Sequence, residues 1–101
     1  MQAFGRGTNL HALWDSGLIE GTGRNAAALT QRLAAAAISS TSRIVSTAQI
    51  AEESCKIVAA PGFYPDRKVS GEYVDRYVSV MEQQLQRAGQ RLAQVLNAAL
   101  R

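Results

Sequence analysis

The stretch from Val74 to Ala99 constrains the fold of this chain more than any other. Val74, Val78, Met81, Leu85, Ala88, Leu92, Val95 and Ala99 follow one another at alternating intervals of four and three residues. A strand repeats every two residues, so this spacing gathers its apolar side chains on one face only as a helix. Ser70 stands where an N-cap is needed, with a hydroxyl able to accept a backbone N–H. The spacing predicts a helix near residues 70–99. Gln83, Gln84, Gln86, Arg87, Gln90 and Arg91 mostly fall off the stripe, as expected of a helix buried along one side. The stripe also suits a coiled-coil dimer, though it is scarcely longer than a globular domain needs. Gly89 costs about 1 kcal/mol relative to alanine in an exposed helix, which reads as a point of close helix contact.

The rest of the chain then packs as shorter helices against this one. Thr8 or Asn9 caps a helix near 9–19 that Gly17 weakens and Glu20-Gly21-Thr22-Gly23 ends. Asn25 caps a second near 25–38, with Ala26, Leu29, Leu33 and Ala36 or Ala37 on a narrow apolar stripe. Ser39-Ser40-Thr41-Ser42 reads as a turn, because hydroxyl side chains compete for backbone hydrogen bonds. Ser46-Thr47-Ala48-Gln49 has capping-box spacing and opens a third helix near 46–60, stopped by Pro61-Gly62. Its predicted core face is Ala48, Ala51, Cys55 and Val58, widened by Ile50, Ser54 and Ile57. Phe63 to Lys68 is a connecting loop. Its aromatics beside basic residues suit base stacking on a nucleic acid, but the better reading is a loop plugged into the core by Phe63 and Tyr64. Phe4 to Thr8 reads as an irregular lead-in. The expected fold is all-α, with about four helices in a single segment spanning residues 1–101.

Length allows one domain at most, with a small stability margin. The net charge of +3 leans towards anionic partners without identifying one. No apolar run approaches bilayer length, and the start of the chain lacks the apolar core of a signal peptide. As written, the chain would stay in the cytoplasm.

The candidate chemistry lies in Asn9-Leu10-His11-Ala12-Leu13-Trp14-Asp15, which holds the only histidine and the only tryptophan. His11 and Asp15 are four residues apart, a spacing that puts an imidazole and a carboxylate on one helix face. Both are zinc ligands. The same spacing also serves an ion pair or a solvated face, and two ligands do not complete a zinc site. Leu10, Leu13 and Leu18 turn Trp14 towards the core. Glu52, Glu53, Asp66 and Glu72 have no evident route to His11. Cys55, the only cysteine, falls on the predicted apolar face. It lacks a histidine partner there, and a buried apolar thiol is inert.

Asn-Leu-His-Ala-Leu-Trp-Asp-Ser-Gly-Leu-Ile resembles the last ligand motif of the three-zinc, single-strand-specific nucleases, whose type members are nuclease S-one and nuclease P-one. Ala51-Glu52-Glu53-Ser54 is similar to that family's Trp-Ala-x-Glu-Ser helix, with Ile50 in place of the tryptophan. Ala88-Gly89-Gln90-Arg91-Leu92-Ala93 is similar to its closing helix. The three stretches occur in family order. The resemblance implies the carboxy-terminal part of the helical phospholipase C and nuclease P-one fold. It also implies a secreted or periplasmic enzyme that cleaves single-stranded DNA and RNA to 5′-nucleotides by zinc-assisted hydrolysis. By position in the motif, His11 and Asp15 would be the last two ligands of one zinc. The third ligand would be a histidine from a Gly-Asp-x-His-Gln-Pro-Leu-His region.

That region is absent, as are the other ligands of a three-zinc centre. The resemblance therefore covers roughly the last third of such an enzyme. It implies a partial domain, inactive alone, whose partner is the missing amino-terminal portion. In that family the helix bearing Cys55 can carry a half-cystine. Two other classes stand beside the nuclease: a non-catalytic helical interaction module, and part of a zinc phosphoesterase of the phospholipase C type.

Overall fold

The computed structural model describes residues 1–35 and 45–100. Among these residues the fold is all-α. The elements are β1 (Gln2–Ala3), β2 (Arg6–Gly7), α1 (Leu10–Ala12), a π-helical segment (Leu13–Gly17), α2 (Leu18–Gly21), α3 (Ala26–Ala35), α4 (Thr47–Ala59) and α5 (Gly71–Ala99). α1, the π-helical segment and α2 form one unbroken helical run over 10–21, so the helices number four, close to the predicted spans. The end of the predicted 25–38 helix and the Ser39–Ser42 turn lie outside the described residues.

Each helix starts where its cap sequence places it. The Asn9 side chain accepts the Ala12 N–H at 2.8 Å, and that of Asn25 accepts the Ala28 N–H at 2.8 Å. Ser46 and Gln49 form a reciprocal capping box, and the Ser70 hydroxyl accepts the Tyr73 N–H at 3.1 Å. These bonds satisfy N–H groups that a helix start leaves without partners.

The lead-in is not irregular. β1 and β2 pair antiparallel, Gln2 with Gly7 and Ala3 with Arg6. The two-residue turn has positive φ at both Phe4 (54°) and Gly5 (71°), the geometry that matches strand twist in a tight hairpin. Gln2 also pairs with Lys68, donating to the Arg67 carbonyl at 2.6 Å and accepting from Val69 N–H at 2.8 Å. The Phe4 ring lies over Gly21, where a Cβ would come within 2.5 Å of it. Two short strands gain their stability from this third partner and this ring contact, which no local pattern reveals.

The core joins Ala3, Leu13, Leu18, Phe63, Val69, Tyr73, Tyr77 and Met81. It is built on the first half of α5, and its face there differs from the predicted stripe. Tyr73 and Tyr77 are buried with Met81, while Val74 and Val78 flank them half-buried. Beyond Met81 the predicted stripe faces solvent: Leu85 is 39% exposed, Leu92 59% and Val95 48%. Among the described residues nothing lies within 4 Å of a Cβ placed at Gly89, so no described helix approaches closely there.

α4 is rotated from its predicted face. Ala48, Ala51, Ser54, Cys55 and Val58 are exposed; of the expected face only its edge, Ile50 and Ile57, turns inward, joined by Glu53 and Ala60. The cause is electrostatic as well as apolar. Arg87 and Arg91 of α5 both bind the Glu53 carboxylate, at 2.9 and 2.7 Å, while Ile57 packs against the core. Cys55 is consequently an exposed free thiol, not a buried one. The loop after α4 is split: Phe63 is buried as expected, but Tyr64 is 69% exposed. α3 is tied to α5 by an Arg32–Glu82 ion pair at 2.8 Å and by Gln86 donating to the Leu33 carbonyl at 3.0 Å.

Candidate metal centre

The helical run over 10–21 carries the candidate ligands, and two features fix its orientation. Leu13 and Leu18 are almost wholly buried, at 1% and 0% exposure. Between them the helix widens: Leu18 N–H bonds to the Leu13 carbonyl, five residues back, in place of the usual four. His11 and Asp15 are both exposed. Neither side chain has a hydrogen bond or an ion pair among the described residues.

Trp14 reaches the other way, into an aromatic cluster. Its ring lies 5.1 Å from Phe63 and 5.5 Å from Tyr77. Its indole N–H donates to the Tyr73 hydroxyl at 3.1 Å, and that hydroxyl donates onward to the Phe63 carbonyl at 2.7 Å. Tyr73 and Tyr77 pack at 4.5 Å. A single hydroxyl thus ties the helix bearing His11 and Asp15 to the loop after α4 and to α5. Burial raises the Tyr73 pKa above 10.0, the Trp14 hydrogen bond opposing it and Tyr77 adding to it. The neutral donor form is therefore the one present at neutral pH.

Neither tyrosine was among the core residues expected from periodicity. Their signal was an i,i+4 aromatic pair opening directly after the Ser70 cap, on the face next to the aliphatic stripe. The Tyr77 hydroxyl is buried without a hydrogen-bond partner among the described residues.

The donor set fits zinc in kind: an imidazole nitrogen and a carboxylate oxygen, both free of competing partners among the described residues. It falls short in number. No group of three or more His, Cys, Asp or Glu able to hold a metal occurs among the described residues, and a catalytic zinc takes three protein ligands. Glu53 is engaged elsewhere. The Arg91 hydrogen bond, followed by that of Arg87, holds its carboxylate below the usual 4.5 against the opposing effect of burial. A cleft of about 480 Å³ lies between the hairpin and this helix, walled by Phe4, Arg6, Thr8, Ser16 and Glu20. His11 and Asp15 stand outside it.

Two of the three sequence stretches touch each other, and the first packs on the opening half of α5 through Trp14. The first supplies the exposed pair and Trp14. The second and third meet where Glu53 of α4 binds Arg91 of α5. No described helix is long and apolar enough to cross a membrane. No curated protein matches the chain significantly. The S1/P1 Nuclease family model, in contrast, matches residues 1–101. A match over the whole chain places this protein in the S1/P1 nuclease family.

Proposed function

We propose that this chain supplies the carboxy-terminal part of a zinc-dependent nuclease that hydrolyses single-stranded DNA and RNA to 5′-nucleotides. The family match over residues 1–101 carries the nuclease reading. His11 and Asp15 would hold one zinc, and the third protein ligand would come from the amino-terminal portion of the domain. A zinc ion in such a centre supplies Lewis acidity, acidifying water and drawing charge from a phosphate oxygen. This chain's own contribution is to bind and to orient. His11 and Asp15 present donors to solvent from one helical turn. The Trp14–Tyr73–Phe63 hydrogen bonds hold that turn's rotation, and the buried rings behind it exclude water from the inner face. The secreted or periplasmic setting of the family is part of the same proposal.

The chain alone supplies two of three ligands, so it is expected to bind zinc weakly and to leave single-stranded DNA intact. The test follows the His11 ring resonances by NMR as zinc is added. They should shift progressively in the native chain, and Asp15→Ala should demand about tenfold more zinc, the effect of losing one of two ligands. A His11 ring indifferent to zinc would refute the ligand role. Zinc-dependent cleavage that disappears in His11→Ala would show instead that copies of the chain complete the site together.

A further inference from the structure

We propose that the cleft between the hairpin and the helical run over 10–21 binds a small zwitterion of dipeptide size, its carboxylate on Arg6 and its ammonium on Glu20. This site is separate from the His11–Asp15 pair and does not rest on the nuclease reading. The hairpin side of the cleft carries Phe4, Arg6 and Thr8, and the helical side Ser16, Gly17 and Glu20. Beneath them lie Ala3 and Leu13, 4% and 1% exposed. A volume of about 480 Å³ over an apolar floor, with a few polar groups at the sides, is the build of a small-ligand site.

The hollow follows from the sequence. Ala12, Gly17 and Gly21 line the helical side without long side chains to fill it. Two departures from regular backbone meet at the same place. Phe4 has φ 54° at a turn position that favours asparagine, aspartate or glycine. Its ring crosses to Gly21, where a Cβ would come within 2.5 Å, and so spans the two sides. The helix widens over Leu13–Gly17, both ends of which line the cleft. Left-handed residues other than glycine and π-helical turns both concentrate at functional sites.

Charge decides the ligand. Arg6 and Glu20 are exposed on opposite sides, and neither has an ion pair or hydrogen bond among the described residues. They do not neutralise each other across the gap. An anion drawn to Arg6 would face Glu20, and a cation drawn to Glu20 would face Arg6. A molecule bearing both charges on a short body satisfies both, and the hydroxyls of Thr8 and Ser16 suit the amide between them.

The test follows the amide NMR resonances of Gly7, Gly17 and Gly21 in the purified chain with EDTA present, as leucylalanine is added. Shifts saturating with a Kd of about 1 mM are expected for a ligand of this size. Acetylating its amine or amidating its carboxylate should each weaken binding about tenfold. In Glu20→Gln the acetylated and free dipeptides should bind alike, and in Arg6→Gln the amidated and free forms should. Each variant thus erases one preference only, which loss of fold would not do. Ser16→Leu, which fills the cleft, should weaken the free dipeptide about tenfold, while the Leu13 and Leu18 resonances keep their native positions. No shift with leucylalanine, preferences that survive both charge variants, an unaffected Ser16→Leu, or deoxyadenylate binding as tightly as the dipeptide would each overturn the proposal.

Discussion

The hydroxyl of Tyr73 joins three segments that sequence separates: Trp14, Phe63 and α5. Removing it leaves an indole N–H and a carbonyl without their partners in a partly buried setting. Tyr73→Phe should therefore cost about 2 kcal/mol in urea unfolding at neutral pH. Tyr77→Phe is the internal control, because its buried hydroxyl has no partner among the described residues, and it should cost little or nothing. Tyr73 also predicts an alkaline limit. Burial raises its pKa in the folded chain above 10.0. Its contribution is thus whole below pH 10 and is lost as pH climbs through the raised value, because the unfolded chain ionises first. Unfolding curves at rising pH should show this loss in the native chain and a smaller one in Tyr73→Phe. Equal losses in both would assign the alkaline limit elsewhere.

At the level of elements, α4 shows how a polar contact settles a packing choice. Ala48, Ala51, Cys55 and Val58 form the centre of the predicted face and Ile50 and Ile57 its edge, and apolar periodicity alone does not say which part is buried. Two arginines on α5 do, by drawing Glu53 inward. Glu53→Gln should cost about 1 kcal/mol, the scale of a part-exposed ion-pair network. Because Arg91 chiefly holds the Glu53 pKa below 4.5, this contribution is present above that value and is lost as pH falls through the folded-state value. Acid unfolding midpoints of the native chain and the variant should converge there; a constant gap would refute the assignment. The same contrast explains what was legible in the sequence. Asn9, Asn25, Ser46–Gln49 and Ser70 mark helix starts correctly because a cap is settled within four residues. That His11 and Asp15 lie on one helical run was legible for the same reason, being set by local spacing. The π-helical widening was not, since it depends on which carbonyl Leu18 chooses. The hairpin was not, since its third strand partner is Lys68. The inward turn of Tyr73 and Tyr77 was not, since an aromatic side chain beside an aliphatic stripe wins burial only when another ring, here Trp14, meets it.

Across the whole molecule, which extends 48 × 30 × 18 Å, α5 is the common rod. Its first half is set in the core through Tyr73, Tyr77 and Met81. Further along, Glu53 holds Arg87 and Arg91, and beyond them Leu92, Val95, Leu96 and Leu100 remain exposed. One continuous helix therefore contains two levels of local stability. Amide hydrogens around Tyr77 should exchange with deuterium only when the entire chain opens, while those past Leu92 should exchange through fraying of the last turns. Exchange mapped residue by residue should fall into two regimes, with the step just after Arg91, the last residue clamped by Glu53. Uniform protection from Gly71 to Ala99 would contradict this. Should the amino-terminal portion proposed above pack on this end of α5, the step would disappear, and the slow-exchanging length of α5 would gauge that assembly.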